Sequence, residues 1–224
     1  MARYVLLCDS TVYSARAETL AGFFFGNELT TFRISVGDVA PANLRCLRPD
    51  ILISFLSPWI VPEAILELAN LSINFHPAPR EYPGIGCYNF ALYDGAREYG
   101  AVCHHMVAQV DTGPIIEERR FPILVNDTEE TLVYRTMVVM LALYHDILGK
   151  IVNGQSLEPA PVSWTKKPTT RRQLERLKLI TPDMTVEETR RRIRSTTCPG
   201  CSGPYVEVGG ERFYYPVPKP TSLP

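Results

Sequence analysis

Three polar residues stand in positions that suit acid–base and electrostatic chemistry. Asn74 and His76 are two residues apart at the end of the apolar run 71–75. Because alternate residues of a strand share a face, we expect their side chains side by side at a strand tip. Asp111 follows a second apolar run, 101–107, on a turn formed by the next Gly and Pro. An amide, an imidazole and a carboxylate delivered by loops after strands can polarise a carbonyl, stabilise an oxyanion and transfer a proton.

These motifs resemble those of the folate-dependent formyltransferases, in which the catalytic Asn, His and Asp occupy N-x-H-P and D-x-G contexts. The chain has N-F-H-P at 74–77 and D-T-G-P at 111–114, and a weaker likeness extends over about residues 45–150. The likeness also includes three short sequences: Y-P-G at 82–84, Y-G-A at 99–101 and H-M at 105–106. Taken alone, the first motif would favour a structural strand-end histidine. The second motif, at this distance, favours catalysis.

The resemblance implies transfer of a formyl group from 10-formyltetrahydrofolate to the amine of a small phosphorylated acceptor, with a nucleotide-linked amino sugar as the leading candidate. It implies that Asn74 and protonated His76 stabilise the tetrahedral oxyanion, while Asp111 orients or charges His76 and helps to relay the amine proton. This chemistry requires no metal. The resemblance also points to lipopolysaccharide O-antigen biosynthesis, and a homodimer is compatible with it.

The donor pocket is expected after the third predicted strand. In the resembling family, the segment before the next helix holds the pterin through main-chain groups and apolar side chains, and here that segment contains Trp59, Ile60 and Val61. Val107 and Gln109 are expected across the cleft from it. A core-packing role is the competing interpretation for Trp59.

The acceptor is expected to contact Ser10 and Thr11 in the first loop, and Tyr82 and Gly84 after the catalytic strand. The first loop, 9–13, lacks the G-x-G-x-x-G of dinucleotide-binding proteins, which disfavours a nicotinamide cofactor. A polar loop that only caps the following helix explains Ser10 and Thr11 equally well.

Strands and helices alternate along the first two thirds of the chain, which predicts a Rossmann-like, mostly parallel twisted sheet with flanking helices. The predicted strands are 3–8, 30–34, 50–55, 71–75, 100–107 and 115–121. The predicted helices are 14–25, 62–69, 88–94 and 127–151, the last opened by Asp127 and carrying the clearest helical periodicity.

A proline-rich linker divides a catalytic domain, 1–162, from a small C-terminal α+β appendage, 163–224. The appendage resembles the short tail of many sugar N-formyltransferases. Its predicted elements are helices 171–179 and 185–195, and a hairpin of 205–208 and 212–215. Residues 166–194 hold ten Lys or Arg against four Asp or Glu. We expect short helices that bury Leu174, Leu177, Val186 and Ile193 and leave a partly exposed basic face, although a phosphate-bearing partner is an alternative.

Composition is that of an ordinary globular protein, with 46% hydrophobic and 21% charged residues and a formal net charge of -1. No stretch approaches the roughly 18 to 20 apolar residues that span a bilayer. Residues 3–7 are too short for the core of a signal peptide. We therefore expect a cytoplasmic protein without a membrane partner.

Six cysteines over this length do not indicate a disulfide framework. Four of them are expected to be small buried thiols: Cys8, Cys46, Cys87 and Cys103. Cys198 and Cys201 have C-x-x-C spacing but no second Cys or His pair, so packing around a Pro-Gly turn is favoured over zinc or redox chemistry. They also stand where the sugar N-formyltransferase tail would have aromatic residues. We expect no metal site.

Four alternative functions remain open. Formylation of methionyl-tRNA requires a large basic accessory domain, and about 60 residues after the linker are too few for one, so tRNA is disfavoured. Formylation of glycinamide ribonucleotide usually requires a Gly-rich first loop. A formyltetrahydrofolate hydrolase would use the same three residues with water, and would carry a regulatory domain. Nucleic-acid binding without catalysis rests on the basic tail alone.

Overall fold

The computed structural model describes residues 3–39, 41 and 43–216, and within them the core is a six-stranded mixed sheet. Its strands are β1 (Tyr4–Cys8), β2 (Leu29–Arg33), β3 (Ile51–Phe55), β4 (Leu71–His76), β5 (Glu98–His105) and β6 (Ile115–Pro122). The strand order is β2-β1-β3-β4-β5-β6, and the first four strands in this order are parallel. β5 and β6 are each antiparallel to the preceding strand. The predicted Rossmann-like, mostly parallel sheet is confirmed.

Helices cover both faces of the sheet. They are α1 (Val12–Phe25), α2 (Leu44–Leu47), α3 (Glu63–Leu66), α4 (Cys87–Asp94), α5 (Glu129–Val152), α6 (Arg171–Lys178) and α7 (Val186–Thr196). On one face α1 and α5 pack against the alternate residues of the central strands, and the Tyr144 ring lies edge-on to Phe55 and Phe75. On the other face α2 and α3 contribute Leu44 and Ile65 to a second apolar cluster. Strands buried on both faces explain the continuous apolar runs in the sequence.

The N-cap of the long helix α5 lies one residue later than expected. Thr128, rather than Asp127, is its N-cap, and it shares a capping box with Thr131. Asp127 instead accepts from the Leu124 N–H and pairs with Arg135. In the described part of the chain, α5 is the one helix whose length and composition would allow it to cross a membrane. This contradicts the expectation that no stretch is long and apolar enough to span a bilayer. Eight of its side chains are buried in the core, which accounts for its apolar composition.

Some local expectations are wrong. The predicted helix 62–69 is shortened to α3, and Pro62 is its N-cap rather than its first helical residue. Val186 is exposed on α7 instead of buried. Cys46 is exposed, whereas the other three cysteines expected to be buried are buried: Cys8, Cys87 and Cys103. Thr185 caps α7 as expected, but the Glu188 side chain binds Tyr93 and Arg192.

The tail, residues 163–216, docks on the rest of the chain mainly through the contact of α7 with α4. The buried Asn89 amide donates both to the Ser195 carbonyl, at 2.7 Å, and to the Glu129 carboxylate, at 2.6 Å. Tyr93 donates to Glu188 at 2.8 Å, and the Arg191 guanidinium lies 4.1 Å from the centre of the Tyr93 ring. Part of the basic tail therefore holds the fold together.

The tail ends in the expected hairpin. Its strands are β7 (Tyr205–Val208) and β8 (Glu211–Tyr214), joined by Gly209 and Gly210, and the second strand begins one residue earlier than predicted. Arg192 donates to the carbonyls of Arg176 and Leu179, at 2.8 and 2.9 Å, so α7 also closes the end of α6.

The docking contact predicts a pH-dependent stability. Burial raises the pKa of the Glu129 carboxyl to about 7, although the hydrogen bond from Asn89 acts in the opposite direction. An unfolded Glu has a pKa of about 4.3, so between about pH 4 and 7 the folded protein binds a proton that the unfolded chain does not. The Glu129 contribution to the free energy of unfolding should therefore fall as pH rises through this window and level off above it.

Urea unfolding at several pH values between about 5 and 8 would test this contribution. Glu129→Gln should remove most of its slope, because the amide does not titrate and still accepts from Asn89. Glu130→Gln, on the same helical turn, is the matched control and should keep the wild-type slope. Equal slopes for the wild type and Glu129→Gln would contradict the assignment.

Candidate active site

The first two predicted catalytic residues lie within a strand rather than in a loop after it. Asn74 and His76 are in the last half of β4, which extends to His76. The antiparallel register places Asn74 directly opposite His104 of β5. Side chains of directly opposed residues stand on the same face of a sheet, so an imidazole is brought beside the Asn74 amide. The expectation that loops deliver all three groups is corrected for these two.

Asp111 lies at the centre of the cluster. Its side chain is only 6% exposed, and its backbone is left-handed, with φ of 47°. One carboxylate oxygen is 3.3 Å from Nδ1 of His76 and accepts from the Gly84 N–H at 2.8 Å. The other oxygen is 3.4 Å from Nε2 of His104. The three predicted catalytic residues are therefore brought together, with His104 between Asn74 and Asp111.

Electrostatics in the cluster favour an ionised Asp111. Burial by itself would raise the pKa of this carboxyl, because a charge loses solvation when it is buried. The charge of His76, the contact with His104 and the hydrogen bond from Gly84 outweigh burial and hold the pKa of Asp111 below its usual range. A negative charge is thus maintained beside His76 throughout the neutral pH range.

The His76 ring has an acceptor at each nitrogen. Nε2 is 2.9 Å from the Tyr82 carbonyl oxygen, while Nδ1 faces Asp111. Both acceptors can be satisfied only by two N–H groups, which the imidazolium form has. A contact between His76 and a substrate oxygen would have to replace the contact with the Tyr82 carbonyl.

His104 is a site residue that sequence reasoning missed. Adjacent residues of a strand face opposite sides of the sheet, and Nε2 of the neighbouring His105 is 2.9 Å from the Leu157 carbonyl, away from the cluster. Nε2 of His104 lies 3.1 Å from the Asn74 amide nitrogen as well as near Asp111. A proton on this nitrogen is donated to Asp111, and without that proton the nitrogen accepts from Asn74. Only the strand register identifies which histidine faces the site.

Trp164 is a second missed residue. Its Nε1 donates to the Gly113 carbonyl at 2.8 Å. Its ring packs edge-on against both histidines, with ring centres 5.7 Å from His76 and 5.2 Å from His104. It therefore supports the two imidazoles that contact Asp111. No local motif indicates this role, because Trp164 lies just after the proposed boundary at residue 162, far along the chain from the two histidines.

A cavity of about 590 Å³ opens beside the cluster. Both predicted donor segments, 59–61 and 107–109, line it, so the cavity brings together Trp59, Ile60, Val61, Val107 and Gln109. The Ile60 side chain is exposed, whereas Trp59 also packs against the second apolar cluster. The core and pocket interpretations of Trp59 both hold.

The residues expected to contact the acceptor are only partly at this cavity. Gly84 lines it, but Ser10, Thr11 and Tyr82 are not among the described residues that do. Thr11 caps α1 through the Ser14 N–H and also binds Asp9, as the capping interpretation of that loop predicted. The Tyr82 side chain is buried against Tyr99, and it reaches the site only through its carbonyl.

Metal ligands are not grouped in the part of the chain that the structure describes. Residues 3–39, 41 and 43–216 contain no cluster of three or more His, Cys, Asp or Glu side chains arranged to hold a metal ion. Cys198 and Cys201 are both free thiols, the second of them exposed.

The α/β sheet places the protein in the Rossmann-like class, and a polar cluster beside an apolar cavity is the arrangement typical of small-molecule sites in that class. The formyl transferase family model matches residues 35–148, about half of the chain. The chain belongs to the formyl transferase family.

Curated relatives are matched over only part of their length. Methionyl-tRNA formyltransferase of Lactobacillus gasseri is 26% identical over 193 residues, which cover 82% of this chain and 59% of the relative. Across six such relatives the match covers 9% to 59% of the relative, so the chain spans less than two thirds of the length of each.

Solved structures match over the whole chain and show the same fold. A candidate sugar N-formyltransferase from Mycobacterium tuberculosis superposes with a TM-score of 0.81 at 20% identity, with 100% of each chain covered. An N-formyltransferase from Helicobacter canadensis, in complex with folinic acid and dTDP-3-aminofucose, has a TM-score of 0.74 at 16% identity and covers 95% of this chain and 86% of its own.

A glycine substitution tests how the segment 168–169 packs against Gly84. Gly84 has a φ of +86°, and a Cβ there would lie 2.4 Å from the Thr169 carbonyl oxygen and 2.5 Å from the Thr169 nitrogen. Gly95 has a comparable φ of +67° but no neighbour within 4 Å of its Cβ position. Gly95→Ala should cost only backbone strain, about 1 kcal/mol of unfolding free energy.

Gly84→Ala adds a backbone clash to the same strain and should cost roughly 3 kcal/mol or more. The unfolding free energies of both variants can be compared by urea titration. Equal losses of unfolding free energy in the two variants would mean that the segment 168–169 does not pack on Gly84 in solution.

Proposed function

We propose that this protein transfers the formyl group of 10-formyltetrahydrofolate to the amine of a small acceptor, and that the acceptor is a nucleotide-linked amino sugar. One observation carries the proposal: Asn74, His76 and Asp111 converge beside a cavity that the two predicted donor segments line. Membership of the formyl transferase family supports formyl transfer as the reaction.

The donor is proposed to lie between the two apolar segments of the cavity. Trp59 to Val61 would cover one face of the pterin, and Val107 with Gln109 the other, since both segments line the same space. The Helicobacter canadensis structure with folinic acid supports a reduced folate as the donor. The volume of about 590 Å³ falls within the roughly 300 to 1,000 Å³ usual for small-molecule sites.

The reaction proceeds through a tetrahedral intermediate. The neutral amine of the acceptor attacks the formyl carbon, and the carbonyl electrons move onto the formyl oxygen. The new C–N bond leaves the amine nitrogen positively charged until it loses a proton. The bond from the formyl carbon to N10 of the folate then breaks, and N10 takes up a proton. Tetrahydrofolate and the formamide are the products, so no oxidant or reductant is needed.

The residues of the cluster divide this work. Asn74 and imidazolium His76 are proposed to donate hydrogen bonds to the oxyanion, a type of stabilisation worth about 2.7 to 4 kcal/mol per donor in other enzymes. Asp111 is proposed to pair with His76 through its ionised carboxylate and to relay the amine proton. His104 can exchange its partner between Asn74 and Asp111 as that proton moves.

The finer assignments rest on similarity to other proteins. The matched Helicobacter canadensis structure contains dTDP-3-aminofucose, which supports a nucleotide-linked amino sugar as the acceptor class. Division into a catalytic domain, 1–162, and an appendage, 163–224, is retained as a proposal. A cytoplasmic location, a role in O-antigen biosynthesis and a homodimeric state stay predictions.

A panel of nucleotide-linked amino sugars, assayed with 10-formyltetrahydrofolate, tests the proposal by the gain of one formyl mass. Asn74→Ala, His76→Ala and Asp111→Ala should each reduce kcat by on the order of a hundredfold or more, because each removes a positioned donor or proton carrier. His105→Ala is the matched control, since this neighbour faces away from the cluster, and it should retain near-native turnover. Near-native kcat in any of the three variants would refute the role of that residue.

The same assay separates the alternative reactions. Formate release that needs no amine would indicate a hydrolase instead. Turnover only with methionyl-tRNA or with glycinamide ribonucleotide would assign the chain to one of those reactions of the family. No turnover with any acceptor, by folded protein, would contradict formyl transfer itself.

A further inference from the structure

We infer that Arg171 is the anion-recognising residue of the cavity and binds a phosphate group of the acceptor, an inference that rests on the proposed function. Arg171 is the first residue of α6, and it lines the same cavity as His76 and Asp111. Its side chain is exposed. The tail therefore contributes a guanidinium to a space that the catalytic cluster also lines.

Charge sets Arg171 apart from the rest of the cavity. The other ionisable groups among the described lining residues are His76, His104 and Asp111, which contact one another. Arg171 is the single Lys or Arg among those lining residues, and no other carboxylate is present among them to neutralise it. An unpaired cation at a cavity wall attracts an anionic ligand.

Three nearby basic residues differ from Arg171 because they have partners within the fold. Lys166 pairs with Asp94 at 2.8 Å, and Lys178 with Glu175 at 3.2 Å. Arg192 pairs with Glu188 at 2.6 Å. Within residues 3–39, 41 and 43–216, Arg171 takes part in no ion pair, and it shares this with Lys167, Arg172 and Arg176. Arg171 differs from those three residues because it lines the cavity.

The segment that carries Arg171 is held firmly against the site. Thr169 N–H donates to the Pro83 carbonyl at 2.9 Å, and Ile85 N–H donates to the Thr169 carbonyl at 3.0 Å. Between these two bonds lies Gly84, whose own N–H donates to Asp111. A short series of backbone hydrogen bonds thus fixes the start of α6 relative to the catalytic carboxylate.

The side chain of Arg171 is assigned as the ligand for the anion. Thr170 and Gln173 form a capping box that occupies their own two N–H groups, at the N-cap and at the third residue of α6. The guanidinium of Arg171 keeps its donors available, and its planar shape matches a phosphate with two parallel hydrogen bonds.

Two substrates could offer an anion: the phosphates of a nucleotide-linked acceptor, or the glutamate carboxylates of the folate. We assign the acceptor, because Arg171 is carried by the segment bound to Gly84, the residue that links this wall to Asp111. The donor segments 59–61 and 107–109 belong to other loops. The kinetic test distinguishes the two sources.

Steady-state kinetics on the full chain should compare Arg171→Ala with Arg172→Ala. Arg172 is the matched control: it is adjacent and exposed, and it is not among the described residues that line the cavity. Arg171→Ala should raise KM for the nucleotide-linked amino sugar by about tenfold or more, the loss expected for a charged hydrogen-bonded pair, and leave KM for the folate within about twofold. Arg172→Ala should change neither constant. An unchanged acceptor KM, or a raised folate KM in its place, would overturn the assignment.

Calorimetry with inorganic pyrophosphate separates this inference from the proposed function. The wild type and Arg172→Ala should bind pyrophosphate equally, and Arg171→Ala should bind it about tenfold more weakly. If pyrophosphate binding depends on Arg171 but no formyl transfer is detected, the anion site would be supported and the proposed reaction would be wrong. If the protein formylates an amine but Arg171→Ala binds pyrophosphate as tightly as the wild type, the anion site would be wrong and the proposed reaction would still hold.

Discussion

The buried carboxylate of Asp111 is the constraint on which the rest of the site depends. A carboxylate this deeply buried stays charged only if nearby donors replace the water it loses. Those donors are His76, His104 and the Gly84 N–H, and each comes from a different part of the chain. The strand order, the antiparallel register of β5 and the course of the Pro-Gly loop must all be correct for the three to meet. The fold therefore positions one charge, and that charge orients the two imidazoles.

Much of the support for this cluster comes from outside the segment that defines the family. The family model matches residues 35–148, yet Trp164 packs on both imidazoles and Thr169 fixes the loop that donates to Asp111. The tail is docked in turn by the Asn89 amide, which joins α4 to Ser195. Loss of the tail would thus disturb the catalytic cluster as well as the stability of the chain. The proposed boundary at residue 162 separates two regions of sequence that share one site.

Sequence alone could predict features that depend on local periodicity, and it failed where long-range geometry decides. Alternation along β4 was enough to place Asn74 and His76 together, and apolar runs predicted the parallel strands. His104 could not be selected over its neighbour, because that choice depends on the register with β4. Trp164 reaches the site from far along the chain, where no motif marks it. The loop with Ser10 and Thr11 was ambiguous because helix capping and ligand binding favour the same residue types.

A crystal structure with folinic acid, a reduced folate that carries a formyl group, would test the central claim most directly. Folinic acid carries its formyl group on N5, so the account predicts the pterin between residues 59–61 and 107–109, with N10, the atom that bears the formyl group in the donor, beside Asn74 and His76. It also predicts that Asp111 keeps its contacts with both imidazoles in that complex. A folate bound elsewhere, or a cluster in which Asp111 contacts neither imidazole, would contradict the account.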